Sequence, residues 1–317
     1  MATLSDVARK AVVSKMTVSR VINHPEQVSA ELRQLVYNSM KELNYVPNYA
    51  AQALVHNRTQ VIKFLILEEM DTTEPYYMNL LAGIAIELDQ RHYSLQLVTR
   101  SSHTIGRCDG LIVTGMRETD YDHIISHLEQ PVILFGENKR GYDYVDVDNK
   151  KGMQMVTEHI LNHGCQKILF YGIEIDEPFM RSRIEGYEET MKMKQLLPQI
   201  NLMTNSSHIA QFEAEKVLQK NHERIAFVCA SDRLGIGVVH AAQGLGLNIP
   251  DDVMVTGFDG VFLDRIAQPK LTTIRQPIVE MGKTCAKLLL DKIDQDGMKQ
   301  GNRIYKPELI IRNSTTT

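Results

Sequence analysis

The spacing of apolar positions changes character once along the chain. Over the first sixty residues it is helical: Leu4, Val7, Ala8 and Ala11, then Val18, Val21 and Ile22, then Leu32, Val36, Met40 and Leu43. Each group follows a residue able to cap a helix. Thr3 has an acid, Asp6, three positions on; Ser14 and Ser29 precede the second and third groups, and Pro47 stops the third. The pattern predicts three short helices, the second over 15–22. The break "AVVS" between the first two is that of a helix-turn-helix.

From Val61 onward the apolar residues gather instead into short runs. "VIKFLIL", "YSLQLV", "GLIVTG", "PVILFG", "KILFYG", "RIAFVCA" and "VMVTGFD" alternate with longer amphipathic stretches. Strand and helix in alternation indicate parallel sheets with helices on both faces, and the length suits two such subdomains. One interval is too short. About ten residues separate "LQLVT" from "CDGLIV", where a parallel crossover needs a dozen or more, so the helix there is expected to shrink to a turn or vanish.

Charge sharpens the division. Residues 1–58 hold seven Lys/Arg against four Asp/Glu, whereas the remainder holds twenty-eight against thirty-five. A small basic module on an acidic body suits an anionic partner at one end. The four cysteines are scattered singly, which argues against a zinc or disulfide framework, and Cys165 and Cys229 read as buried thiols. No apolar run approaches the length of a membrane span and no signal pattern opens the chain, so a cytoplasmic protein is expected.

With Val18, Val21 and Ile22 inward, the second helix turns Lys15, Met16, Ser19 and Arg20 outward. In a helix-turn-helix such a helix enters the major groove, where Arg can bond guanine bidentately and Met offers apolar contact. The segments "LSDVARKAVVSKMTVSRVIN" and "VSAELRQLVYNSMKELNYVPNYAAQAL" resemble the headpiece of the lactose-repressor (LacI/GalR) family of bacterial transcriptional regulators. The resemblance implies a headpiece over 1–47, with Leu4, Ser14, Thr17 and Asn23 joining Lys15, Met16, Ser19 and Arg20 at DNA. It implies a hinge over 48–58 in which Leu54 wedges into the minor groove, flanked by Asn48, Ala51 and Gln52. One departure stands in the turn, where the family usually has Gly and this chain has Val12. Val strains a left-handed turn, so a somewhat adjusted turn is expected.

"DVDNKKGMQMVTEHILNHGCQKILFYG", "RSRIEGYEETM", "CASDRLGIGVV" and "VTGFDG" extend the resemblance to the family's periplasmic-binding-protein-like core, here 59–317. By resemblance, Arg183 and Asp259 hold a small effector, a sugar or sugar phosphate, and Tyr76 and Tyr77 lie where an aromatic residue lines the pocket. One of the two tyrosines is expected to line the cleft and the other to pack. Ser231 and Asp232 start a helix after a strand, where they could contact ligand or only cap. The partners implied are near-palindromic operator DNA, an effector and a second copy of the chain, with no cofactor and no membrane. The chain stops soon after "PELIIRNST" without leucine heptads, which favours a dimer over a tetramer.

An enzyme reading finds little to stand on: no Walker loop, no GxSxG and no complete GxGxxG. His159 and His163 are four apart but lack the acid of an HExxH helix, so no metal is assigned. Two alternatives stay open. One is the same DNA-binding regulator controlled by a phosphoprotein; the other is a doubly wound sugar-binding protein or enzyme whose N-terminal helices serve only assembly.

Overall fold

Side-chain caps start the three α-helices among the described residues of the first unit. Thr3 Oγ1 accepts the Asp6 N–H at 3.3 Å while the Asp6 carboxylate takes the Thr3 N–H at 2.9 Å, opening α1 (Leu4–Lys10) with a reciprocal capping box. Ser14 Oγ accepts the Thr17 N–H at 3.0 Å and opens α2 (Lys15–Asn23); Ser29 does the same for α3 (Ala30–Glu42). Val7, Ala8, Ala11, Val18, Val21 and Val36 close a small dry core, with Leu4, Ile22, Met40 and Leu43 packed at its rim. The computed structural model describes residues 2–46, 58–68, 75–102, 104–221 and 223–316. They form two compact units, Met1–Thr59 and Gln60–Thr317.

The turn between α1 and α2 corrects one expectation. It does not adjust to accommodate Val12. The residue takes the left-handed conformation itself, at φ 53°, with its side chain 89% exposed. Such a backbone costs an L-residue roughly 1–2 kcal/mol, which the surrounding helix pair must offset.

The second unit begins with β1 (Val61–Ile66), α4 (Pro75–Asp89), β2 (Ser94–Thr99), β3 (Gly110–Thr114), α5 (Glu118–His123), β4 (Val132–Phe135) and β5 (Tyr144–Val147). Next come α6 (Asn149–Asn162), β6 (Ile168–Ile173), α7 (Pro178–Met193), β7 (Gln199–Met203), α8 (Ser207–Leu218), β8 (Ile225–Cys229) and α9 (Asp232–Gly244). It ends with β9 (Val253–Asp259), α10 (Leu263–Ile266), β10 (Thr272–Arg275), α11 (Ile278–Asp294), β11 (Arg303–Tyr305) and β12 (Glu308–Ile310).

Two six-stranded sheets result, in the orders β11-β5-β4-β3-β1-β2 and β12-β10-β9-β8-β6-β7. All neighbours are parallel except β10 and β12. The chain leaves the first sheet after β5, returns through α11 to add β11, and leaves again for β12, so the two sheets are interleaved rather than sequential. The seven apolar runs of the sequence became β1, β2, β3, β4, β6, β8 and β9.

Helix α11 packs on α4 at a distance only glycine allows. A Cβ on Gly83 would collide with the Val279 carbonyl, and one on Gly282 with the Leu80 carbonyl. That close pair covers the face of the first sheet formed by Ile62, Phe64, Ile66, Ile112 and Ile133. On the opposite face the short interval behaves as its length requires: no helix forms among the described residues of 100–109. Buried beneath this segment are Cys108, Val98 and, unusually, Lys63. All four cysteines are unbridged and buried. Among the described residues, no helix is long and apolar enough to cross a membrane.

Candidate functional site

On α2 the outward face is the one the helical period assigned. Lys15, Met16 and Arg20 are exposed, Met16 to 74%, while Val18 and Val21 are fully buried. Ser14 Oγ lies 2.8 Å from Thr17 Oγ1, so these two hydroxyls brace the N-terminal end of the helix. Thr17 and Ser19 are half-buried at the edges of the face. Leu4 sits partly buried against the core at the start of α1. The side chain of Asn23 and the residues Asn48, Ala51, Gln52 and Leu54 lie outside the described ones.

In the second unit a cavity of about 560 Å³ opens between the two sheets, at the C-terminal ends of their central strands. Parallel sheets direct ligands there because the loops after the strands diverge and leave a crevice. At its floor lies Arg183, on α7. Its Nε donates to Asn149 Oδ1 at 2.9 Å and its Nη1 to the Ala230 carbonyl at 2.6 Å. The guanidinium stacks 3.6 Å from the Phe258 ring centroid and 4.9 Å from that of Phe179. Two of its nitrogens are thereby bonded and two rings pack on it; Nη2 makes no hydrogen bond among the described residues. Burial lowers the Arg183 pKa, yet the group stays a cation, since guanidinium starts so far above neutrality.

Asp259 ends β9 and carries a backbone φ of 122°, left-handed and costly for a non-glycine residue. Gln276 holds it there, donating its Nε2–H to Asp259 Oδ1 at 2.9 Å and its N–H to the Asp259 carbonyl at 3.1 Å. Behind the strand, Asp232 accepts from the Gly260 N–H at 2.8 Å and from Thr273 Oγ1 at 2.6 Å. A Cβ at Gly257 would collide with that carboxylate, which accounts for glycine before "FDG". Asp232 and Ser231 are each 2% exposed and neither lines the cavity. Ser231 caps α9 and donates to Asn205 Oδ1 at 2.7 Å. Of contact or capping, the two side chains do the second kind of work and leave the cavity wall to others: Ser231 holds Asn205, which lines it, and Asp232 holds the Gly260 backbone next to Asp259, which also does.

Tyr76 and Tyr77 both line the cavity, where only one was expected to. Their rings meet edge-on at 5.5 Å, and Tyr76 meets Phe135 edge-on at 6.3 Å. Asp146, on β5, completes the floor. Burial raises its pKa to about 6, against the opposing hydrogen bonds from the Glu137 and Val147 N–H groups and the nearby Arg183. Two ties cross the mouth from one subdomain to the other. Arg117 forms an ion pair with Glu177, and Ser182 Oγ donates to Glu137 Oε2 at 3.2 Å.

Residues 3–48 match the family model described as bacterial regulatory proteins, lacI family, and residues 157–315 match a periplasmic binding protein-like domain. The HTH-type transcriptional regulator YvdE of Bacillus subtilis (strain 168) is 58% identical over 99% of this chain and 100% of its own length. The chain belongs to the lacI family. It is thus a DNA-binding transcriptional regulator. Within the LacI family it is also 28% identical to the regulator CelR of Thermobifida fusca, over 98% of each chain. A solved CelR–cellobiose complex superposes with a TM-score of 0.74 at 25% identity, covering 99% of this chain and 100% of that one. The lac repressor dimer bound to operator and an anti-inducer shares the fold, with a TM-score of 0.77 at 24% identity, over 100% of this chain and 99% of that one.

Several cavity residues of this LacI-family chain escaped the sequence reading: Asp146, Phe179, Glu177, Asn205 and Gln276. One signal existed for Gln276, which follows "TTIR" at the end of a strand. Nothing local marks the others.

Proposed function

We propose that this regulator is a homodimeric repressor of carbohydrate-utilisation genes, released from or locked onto its operator by a sugar held between the two sheets. The observation that carries the reading is the fixed guanidinium of Arg183 and the carboxylate of Asp259 in one aromatic-walled cavity. Such a pair supplies donors and acceptors to vicinal hydroxyls, and Tyr76, Phe135 and Phe179 offer ring faces to the apolar side of a sugar. The CelR–cellobiose complex supports a carbohydrate in a cleft of this kind. Arg20, Lys15 and Met16 take the base-reading role, with Ser14, Thr17, Ser19 and Asn23 beside them. Leu4, the hinge residues Asn48, Ala51 and Gln52 and the wedge Leu54 complete the DNA contact. A DNA partner makes the protein cytoplasmic.

Homodimer formation has its own support. Helix α4 is apolar on nearly all sides, and Met78, Ala82, Ala85 and Ile86 form an exposed stripe along it. A helix apolar all round is stable in water only when a further surface covers it. The effector acts by binding one arrangement of the subdomains better than the other, so the cross-cleft ties at Arg117–Glu177 and Ser182–Glu137 shift with it. A thermal-shift screen against sugars, sugar phosphates, nucleobases and nucleosides tests the reading. A ligand at a hundred times its Kd adds about 2.7 kcal/mol to the native state. A carbohydrate hit that also moves the operator-binding curve supports it. Silence across the panel, with a response to a phosphoprotein, overturns the small-molecule half.

A further inference from the structure

We infer that the effector is an uncharged carbohydrate larger than a single hexose, and that phosphorylated sugars are excluded from the cleft. This deepens the effector reading above and rests on it. Among the described residues the cavity wall carries six carboxylates, from Glu68, Glu137, Asp146, Glu174, Glu177 and Asp259, against three guanidinium groups and no lysine. Arg117 pairs with Glu177, Arg233 has partners of its own, and Arg183, bonded to Asn149 and the Ala230 carbonyl, has Asp259 and Asp146 close by to balance its charge.

Helix N-termini are the other place an anion could settle, because their outward N–H groups favour negative charge. Two of those at this crevice already have an acid. Glu177 stands at the cap of α7, and Asp232 occupies the first turn of α9. A dianionic phosphate would enter a partly desolvated space of net negative charge with no surplus cation to meet it, and the cost of burying it would go uncompensated. A neutral hydroxyl has the opposite experience. Carboxylates accept from it strongly, and a wall rich in them suits a ligand rich in O–H donors.

Size sets the second part. A hexose has roughly twelve non-hydrogen atoms; even at a whole water's share each, it fills about 360 Å³. The cavity holds about 560 Å³, so a single ring leaves roughly a third of it unfilled. The aromatic wall is extended to match, with Tyr76, Tyr77, Phe135, Tyr121 and Phe179 all lining it.

The test is titration calorimetry of the full-length protein with neutral disaccharides (cellobiose, maltose, sucrose, trehalose), their constituent hexoses, and the 6-phosphates of both. The expected result is one neutral disaccharide that binds at least tenfold tighter than its own hexose and at least a hundredfold tighter than its phosphate. Glu174 is exposed, so Glu174→Lys keeps the fold while supplying the missing cation. That variant should gain at least tenfold in affinity for the phosphate. A sugar phosphate or lone hexose binding the parent protein as tightly as any disaccharide overturns the inference while leaving a carbohydrate effector in place. Nucleobase binding with every sugar silent overturns the effector reading and this inference together.

Discussion

The headpiece and the cleft solve opposite problems of placement. On α2, Lys15, Met16 and Arg20 stand on a single helix, exposed, braced only by a cap and a valine core beneath. In the cleft, Tyr76, Asp146, Arg183 and Asp259 arrive from four separate elements and are held by Asn149, Gln276 and the backbone. An exposed side chain meeting an outside partner can be removed without disturbing the protein that carries it. A buried one, bonded on several sides, is part of what holds the protein together. Function and stability are therefore separable in the first region and fused in the second.

The largest expected effect tests the fused side. Arg183→Ala strips the Ala230 carbonyl and Asn149 of a charged donor and opens a gap between Phe179 and Phe258. It should cost about 3 kcal/mol of stability as well as effector binding. Urea unfolding of the second transition measures the first, calorimetry the second. In a double-mutant cycle with Asn149→Ala the two losses should fall short of additive by about 1 kcal/mol. Full stability in Arg183→Ala would mean the cleft is as separable as the headpiece.

The counterpart is Arg20→Ala. It should weaken operator binding by roughly 1–3 kcal/mol and relax preference at one base pair, with stability unchanged within about 0.5 kcal/mol. Combined with Lys15→Ala, the DNA losses should simply add. Fluorescence anisotropy on operator variants decides it; an unchanged profile removes Arg20 from the base-reading face.

What could be read from the sequence divides along the same line. Thr3, Ser14 and Ser29 act on neighbours three residues away, and Val18 and Val21 share one turn, so capping and period sufficed for the headpiece. Interior strands announce themselves as apolar runs because both faces are covered. The strands that escaped notice, β5, β7, β10, β11 and β12, are short or lie toward the sheet edges; β7 keeps one buried residue of five. Counting residues foresaw the lost helix before β3. The cleft was harder, since Asp146 sits in the unnoticed β5 and Glu177 meets Arg117 only because the chain crosses between sheets. Ser231 and Asp232 stand next to the cavity in sequence, and only three-dimensional packing turns them away.

Asp146 sharpens the comparison through pH. Its folded pKa, about 6, exceeds the roughly 3.9 of an unfolded aspartate, so between those values the folded state holds the extra proton and stability falls as pH rises. The penalty is complete above pH 6. His159 runs the other way. Burial, then His163, lowers its pKa to about 4, so stability falls as pH drops from about 6.5. The two oppose each other across mildly acidic pH. Asp146→Asn keeps an acceptor for the two backbone N–H groups and should raise stability at pH 7 by about 2 kcal/mol. The variant's acid destabilisation should then steepen, His159 being left unopposed. Urea midpoints between pH 4 and 7.5 that stay parallel to the parent's would contradict the Asp146 assignment.

The smallest effect lies in the headpiece, at Val12. With φ at 53° and the side chain in solvent, the residue contributes strain and no packing. Glycine removes the Cβ penalty of roughly 1–2 kcal/mol but gives the unfolded chain more freedom, a cost of under about 1 kcal/mol. Val12→Gly should therefore stabilise the headpiece by about 0.5–1 kcal/mol and leave the second unit untouched. Since the chain has two units, a global melt would blur so small a change. Hydrogen exchange at the amides of Val18 and Val21 isolates it, and their protection should rise by a factor of roughly 2–5. Unchanged or reduced protection would mean that Val12 makes a contact worth as much as its strain, and that even this exposed turn couples function to stability.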